Sequence, residues 1–184
     1  VPEIPKNATL RELVSHHKKY CAKILKGRLD AFAKEPLSAA ISKAAFGKEL
    51  CGQHIGHLCC LPTEALKKGG NLLLKKQTEL KRCQSFDELY QKIKTLLKNI
   101  SKLGPMYVYD VALRLGSSLG LPPEKVYLQR GAMQGAKILL GQVAKGKSVL
   151  EKNDFPVELQ CLEPVEIEDF LCIFKKHLQL IKSK

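Results

Sequence analysis

The chain has 184 residues, of which 45% are apolar and 27% charged. That is enough apolar material to bury a core, so a disordered tail and a collagen-like chain are excluded, and no apolar run approaches the roughly 18 residues of a membrane span. Lys and Arg number 31 against 18 Asp and Glu, a net charge of +13 that fits a polyanionic partner.

Helical spacing dominates, and no run of period-two alternation competes with it. Thr9-Leu10-Arg11-Glu12 forms a capping box. Leu10, Leu13, Val14, Tyr20, Cys21, Ile24 and Leu25 then recur at three- and four-residue steps, so a helix is expected to about Phe32, ending before Pro36. Ala39 to Leu50 is a short Ala-rich helix, and Cys51 to Pro62 reads as loop. Gly69-Gly70 is expected to interrupt the next helix, which resumes at Leu72 and reaches about Cys83. Ser85-Phe86-Asp87-Glu88 is a second capping box, opening a helix that buries Phe86, Leu89, Tyr90, Ile93, Leu96, Leu97 and Ile100. Leu103-Gly104-Pro105 breaks it, and a new helix follows from about Met106 to Leu119, ending at Gly120 before Pro122-Pro123. Lys125 to Leu128 is short and extended, Gly131 to Ala144 helical, and a polar linker leads to Pro164. Pro164 to Ile181 is an amphipathic helix with Phe170, Phe174 and Leu178 on its buried side.

The elements predict a compact all-α globule in a single domain, residues 1–184; the composition allows a sub-boundary near residues 62–72. Charge divides it further. Residues 1–150 form a basic body, while the linker and last helix, residues 151–184, carry 5 bases and 7 acids. Seven irregularly spaced cysteines, several on apolar faces, predict reduced thiols and a cytoplasmic location. Numbering begins at Val1 without an initiator Met, which leaves a removed leader open.

Cys51, His54, His57, Cys59 and Cys60 offer soft zinc ligands, but no second separated ligand pair exists to close a structural site, so no metal is expected. No cofactor motif is present: the glycines around Ser117 and Ser118 fit neither GxGxxG nor a P-loop. The corner joining the two central helices is more informative. A helix N-terminus directly after a Gly-containing turn exposes backbone N–H groups and the positive end of the helix dipole, which together seat a phosphate. Lys98 and Lys102 flank it, with Gly104, Met106 and Tyr107 at the turn. Arg is scarce at five residues, and Arg114 and Arg130 fall nearby; a guanidinium is the better bidentate phosphate ligand. These residues point to nucleic-acid binding without sequence preference, with DNA the expected partner and no membrane partner. The competing class is an enzyme or small-ligand binder with a polar pocket around Tyr109, Asp110, Tyr127, Gln129 and Arg130. A third is a protein-interaction module using the acidic stretch from Glu163 to Asp169.

Lys102-Leu103-Gly104 resembles the tip of a helix-hairpin-helix motif, apolar-x-x-apolar-x-Gly-apolar-Gly, with Lys102 at the first glycine and Gly104 at the second. A longer set resembles an uncharacterised bacterial protein family with a helix-hairpin-helix-like core. It comprises Tyr109-Asp110 through Arg114 and Gly116, Val126-Tyr127-Leu128 with Gly131 and Gly135-Ala136, and Glu168-Asp169-Phe170-Leu171-Cys172. Gln129 stands near where that pattern carries His, and Cys59 and Cys60 where it carries bases. The resemblance implies a grip on the nucleic-acid backbone through hairpin amides. It brings no catalytic pair, because the Asp of helix-hairpin-helix glycosylases would fall near Val126 or Tyr127, both uncharged.

Overall fold

A computed structural model describes residues 2–47 and 60–182. The fold is all-α apart from one two-stranded ribbon. Among the described residues no helix is long and apolar enough to cross a membrane. The chain groups into two compact units, residues 27–123 and residues 1–26 with 124–184. No division falls near residues 62–72. Both units are basic. The contiguous unit carries 15 bases and 8 acids (+7), and the other 16 bases and 10 acids (+6), because the basic N-terminal segment shares a unit with the acidic C-terminal one.

In the discontinuous unit, Thr9 caps α1 (Leu10–His16). Its Oγ1 accepts from the Glu12 N–H at 3.3 Å while its own N–H donates to Glu12 Oε2 at 2.7 Å, the reciprocal pairing that the Thr-x-x-Glu spacing encodes. That backbone donor holds the exposed Glu12 carboxyl below its ordinary pKa. The helix continues through a π turn, His17–Cys21, into α2 (Ala22–Ala33), and the unit boundary falls within α2. Beyond Pro123 come β1 (Val126–Tyr127), α8 (Arg130–Leu140) and β2 (Val149–Leu150), which pairs antiparallel with β1. The unit ends with α9 (Pro164–Lys182). The stretch before α9 is not merely a polar linker: Leu150, Phe155, Leu159 and Leu162 join Phe170, Leu171 and Phe174 in the core. Polar residues between these four mask a spacing that tight turns, not a helix, bring inward. α8 and α9 meet at Gly135, where a Cβ would come within 2.4 Å of the Leu171 carbonyl oxygen.

The contiguous unit contains the rest of α2, then α3 (Leu37–Ala45), α4 (Thr63–Lys75), α5 (Gln77–Lys81), α6 (Phe86–Leu97) and α7 (Pro105–Leu119). α4 runs unbroken through Gly69 and Gly70, against the expected interruption. The glycines serve contact instead: both are buried, and a Cβ on Gly70 would lie 3.3 Å from Ala45 and Phe46. The loss of helix propensity, about 1 kcal/mol per glycine, is offset by close packing. α6 starts where Ser85 Oγ accepts from the Glu88 N–H at 3.2 Å, and it ends at Leu97, one turn earlier than the apolar pattern suggests. α6 and α7 pack together, with Val111, Ala112 and Leu115 of α7 fully buried.

Candidate nucleic-acid interface

Two successive turns carry the chain from α6 into α7. Ile100 N–H donates to Leu97 O at 2.9 Å, and Leu103 N–H to Ile100 O at 3.3 Å. Lys102 then takes φ +74°, the one positive φ among the described non-glycine residues. That is the position of the first glycine in the helix-hairpin-helix pattern. A lysine adopts this conformation only at a cost of about 1–2 kcal/mol. The reversal turns Leu103 inward, where it is buried, and leaves Ser101, Lys102 and Gly104 exposed.

Gly104 is the N-cap of α7 in extended conformation, and Pro105 supplies the first helical residue with φ already set. The first intrahelical bond runs from Val108 N–H to Gly104 O at 3.1 Å. Gly104 has no side chain to fold back on the first turn, and no side-chain cap is made. The N–H groups of Met106 and Tyr107 therefore lack intrahelical acceptors at the positive end of the dipole. Space beside Gly104 is open: a Cβ there would meet nothing within 4 Å, and Met106 is 38% exposed, whereas Tyr107 is buried. Lys98 and Lys102 are both exposed and form no ion pair among the described residues. Lys98, Lys102, Gly104 and Met106 thus gather at one corner.

Two expected contacts, Tyr107 and Arg114, are buried, and a third, Arg130, is exposed. Tyr107 is buried, and its hydroxyl donates to Ala45 O at 2.7 Å; burial pushes the phenol pKa well up, so it remains a proton donor. Its side chain anchors the first turn of α7 to the end of α3, and the residue as a whole, backbone included, is withdrawn from the surface. Arg114 is also buried. Its Nη1 donates to the Asp110 carbonyl at 3.0 Å and to Asp110 Oδ1 at 3.3 Å, and its guanidinium lies 5.8 Å from the Phe32 ring centroid. The charge is met within α7 and does not reach a surface phosphate. Arg130 is exposed at the start of α8, in the other unit.

The residues of the expected polar pocket are divided between the two units. Tyr109, Tyr127 and Gln129 are buried, and Asp110 is engaged by Arg114. Tyr109 packs edge-on to Phe86, with centroids 6.2 Å apart. Tyr109 and Asp110 belong to residues 27–123, Tyr127 and Gln129 to the other unit. Cys51, His54, His57 and Cys59 lie outside the described residues; among those described, no cluster of three metal-ligating side chains occurs. Among the described residues, Cys21 and Cys83 are buried thiols.

One polar pair escapes sequence reasoning. His17, fully buried in the π turn, sets Nε2 2.9 Å from Asp169 Oδ2 of α9, with its ring 5.8 Å from Phe170. The partners stand 152 positions apart, and no spacing along the chain links His17 to the block that contains Asp169. Its Nδ1, like those of His16 and His177, has no hydrogen-bond partner among the described residues. Cys21, four residues on, has its thiol pKa raised by burial and by the Asp169 charge, the reverse of what a nucleophile needs. The arrangement joins α1 to α9 rather than forming a catalytic dyad. Comparison of the chain with protein-family models, with curated proteins and with solved structures finds no match.

Proposed function

We propose that this protein binds nucleic acid without sequence preference, gripping the phosphate backbone at the helix-hairpin-helix-like corner between α6 and α7. The observation that supports it is the uncapped start of α7 at exposed Gly104, flanked by Lys98 and Lys102, with Lys102 retained in a conformation that glycine adopts freely. Backbone strain at an exposed cationic position is maintained against a simple glycine alternative, which fits a residue kept for its charge. One phosphate would accept from the N–H of the exposed Met106, and Lys98 and Lys102 would meet its neighbours. The net charge of +13 adds long-range attraction.

Fluorescence anisotropy with single- and double-stranded DNA and RNA at two salt concentrations tests this. Affinity should fall steeply with salt, and Lys102→Glu should reduce it several-fold. Binding that ignores salt, or its absence at low ionic strength, overturns the proposal.

A further inference from the structure

α9 has a buried side and a bare one. Phe170, Leu171, Phe174 and Leu178 face the core of their unit, yet Ile173 and Leu180 are 46% and 44% exposed. Seven residues turn a helix almost twice, with a drift of about 20°, so Ile173 and Leu180 stand on one stripe. Glu166, one heptad before Ile173, begins that stripe, and the half-buried Asp169 and the exposed Lys176 lie along it. Beside Leu180 the surface dips into a cavity of about 170 Å³, walled by Ala8, Leu10, Leu180 and Ile181 and rimmed by Lys6. The charges indicate what fits here. The acids of α9, Glu166, Glu168 and Asp169, all precede Ile173, and its lysines, Lys175, Lys176 and Lys182, all follow it. A second α9 laid antiparallel brings an acidic half against a basic half at both ends, whereas a parallel one sets like charge against like.

We infer that the bare stripe of α9 docks a second copy of this chain, antiparallel about a two-fold axis between positions 172 and 173. Such a contact is isologous and closes as a dimer. Ile173 of each copy meets its counterpart beside the axis. Positions 169 and 176 are equally far from the axis, so Asp169 of each copy faces Lys176 of the other. The Asp169 carboxylate is already held, because Oδ2 lies 2.9 Å from His17 Nε2, and little ordering is left for binding to supply. Positions 165 and 180 correspond in the same way, so Leu180 covers the half-buried Val165 of the second copy. Glu166 lies on the Ile181 flank of the stripe. It reaches the cavity beside Leu180 of the second copy, with its stem on the apolar wall and its carboxylate toward Lys6. The stripe is one helix wide, which makes this a weak, reversible dimer rather than an obligate one.

Analytical ultracentrifugation of the full chain, free of nucleic acid and over a wide range of concentrations, tests this. The unmodified chain should show a reversible monomer–dimer equilibrium. Ile173→Asp should raise the dissociation constant about ten-fold or more, and Val157→Asp, at an exposed apolar residue before α9, should leave it unchanged. Ile173→Asp and Ile173→Lys should each be monomeric alone and dimerise when mixed, an outcome that misfolded variants cannot give. Lys176→Glu separates the two orientations: it sets Glu against Asp169 in the antiparallel pair and weakens it, but relieves a Lys–Lys contact in a parallel one. A chain that stays monomeric throughout, a dimer that survives Ile173→Asp, or a dimer tightened by Lys176→Glu overturns the inference.

Discussion

Lys102 concentrates the tension between stability and binding. Its φ of +74° favours glycine, and its side chain is exposed with nothing in the fold to hold it. Lys102→Gly should therefore raise unfolding stability by about 1 kcal/mol in denaturant titrations, by removing the left-handed penalty. The same variant should bind duplex DNA more weakly than the parent. A destabilised Lys102→Gly would mean that the stem packs usefully and that the strain account is wrong. Gly104 was legible in the sequence as the start of a helix, because Gly-Pro before an apolar periodic run has few other meanings. The fates of Tyr107 and Arg114 were not. Both sit on a helix whose apolar face is unusually broad, with Val108, Tyr109, Val111, Ala112, Leu113 and Leu115 all buried, so a polar residue among them points inward as readily as out.

At the level of elements, capping boxes and amphipathic runs located the helices well, because Thr9-Glu12 and Ser85-Glu88 form local contacts that need no tertiary partner. Glycines inside helices misled for the opposite reason. Propensity counts Gly69-Gly70 as a break, while the cause of their presence lies on α3 and at the α6–α7 corner, far away in sequence. Gly135 is the corresponding position between α8 and α9. Its missing Cβ faces backbone, the Leu171 carbonyl at 2.4 Å, so no rotamer change can make room. Gly135→Ala should destabilise the chain by about 3 kcal/mol, beyond any gain in helix propensity. Thermal unfolding would show it, and a neutral or stabilising effect would mean that α8 and α9 can part cheaply. The His17–Asp169 pair belongs here too. It ties the π turn to α9 with a hydrogen bond that pattern reading along one helix has no means of anticipating.

For the whole molecule, the two units differ in how their cores are assembled. Residues 27–123 are one stretch in which α3 meets α4 and α6 meets α7. The other unit needs α1 to meet α9, near opposite ends of the chain, so its core closes only after a large loss of chain entropy. Pulse-labelled hydrogen exchange during refolding should find amides of α6 and α7 protected before those of α1 and α9; simultaneous protection would contradict this order. The grouping into two units was not legible in the sequence, because helical periodicity reports where helices lie and carries no information on which distant ones meet. The nesting also bears on faulty translation. A ribosome that stops anywhere past Pro123 has already delivered the entire α6–α7 corner, yet one that stops before Pro164 leaves α1 without α9. Under the proposed grip, such truncated products would keep the phosphate-binding corner while exposing the apolar face of α1 that α9 otherwise covers.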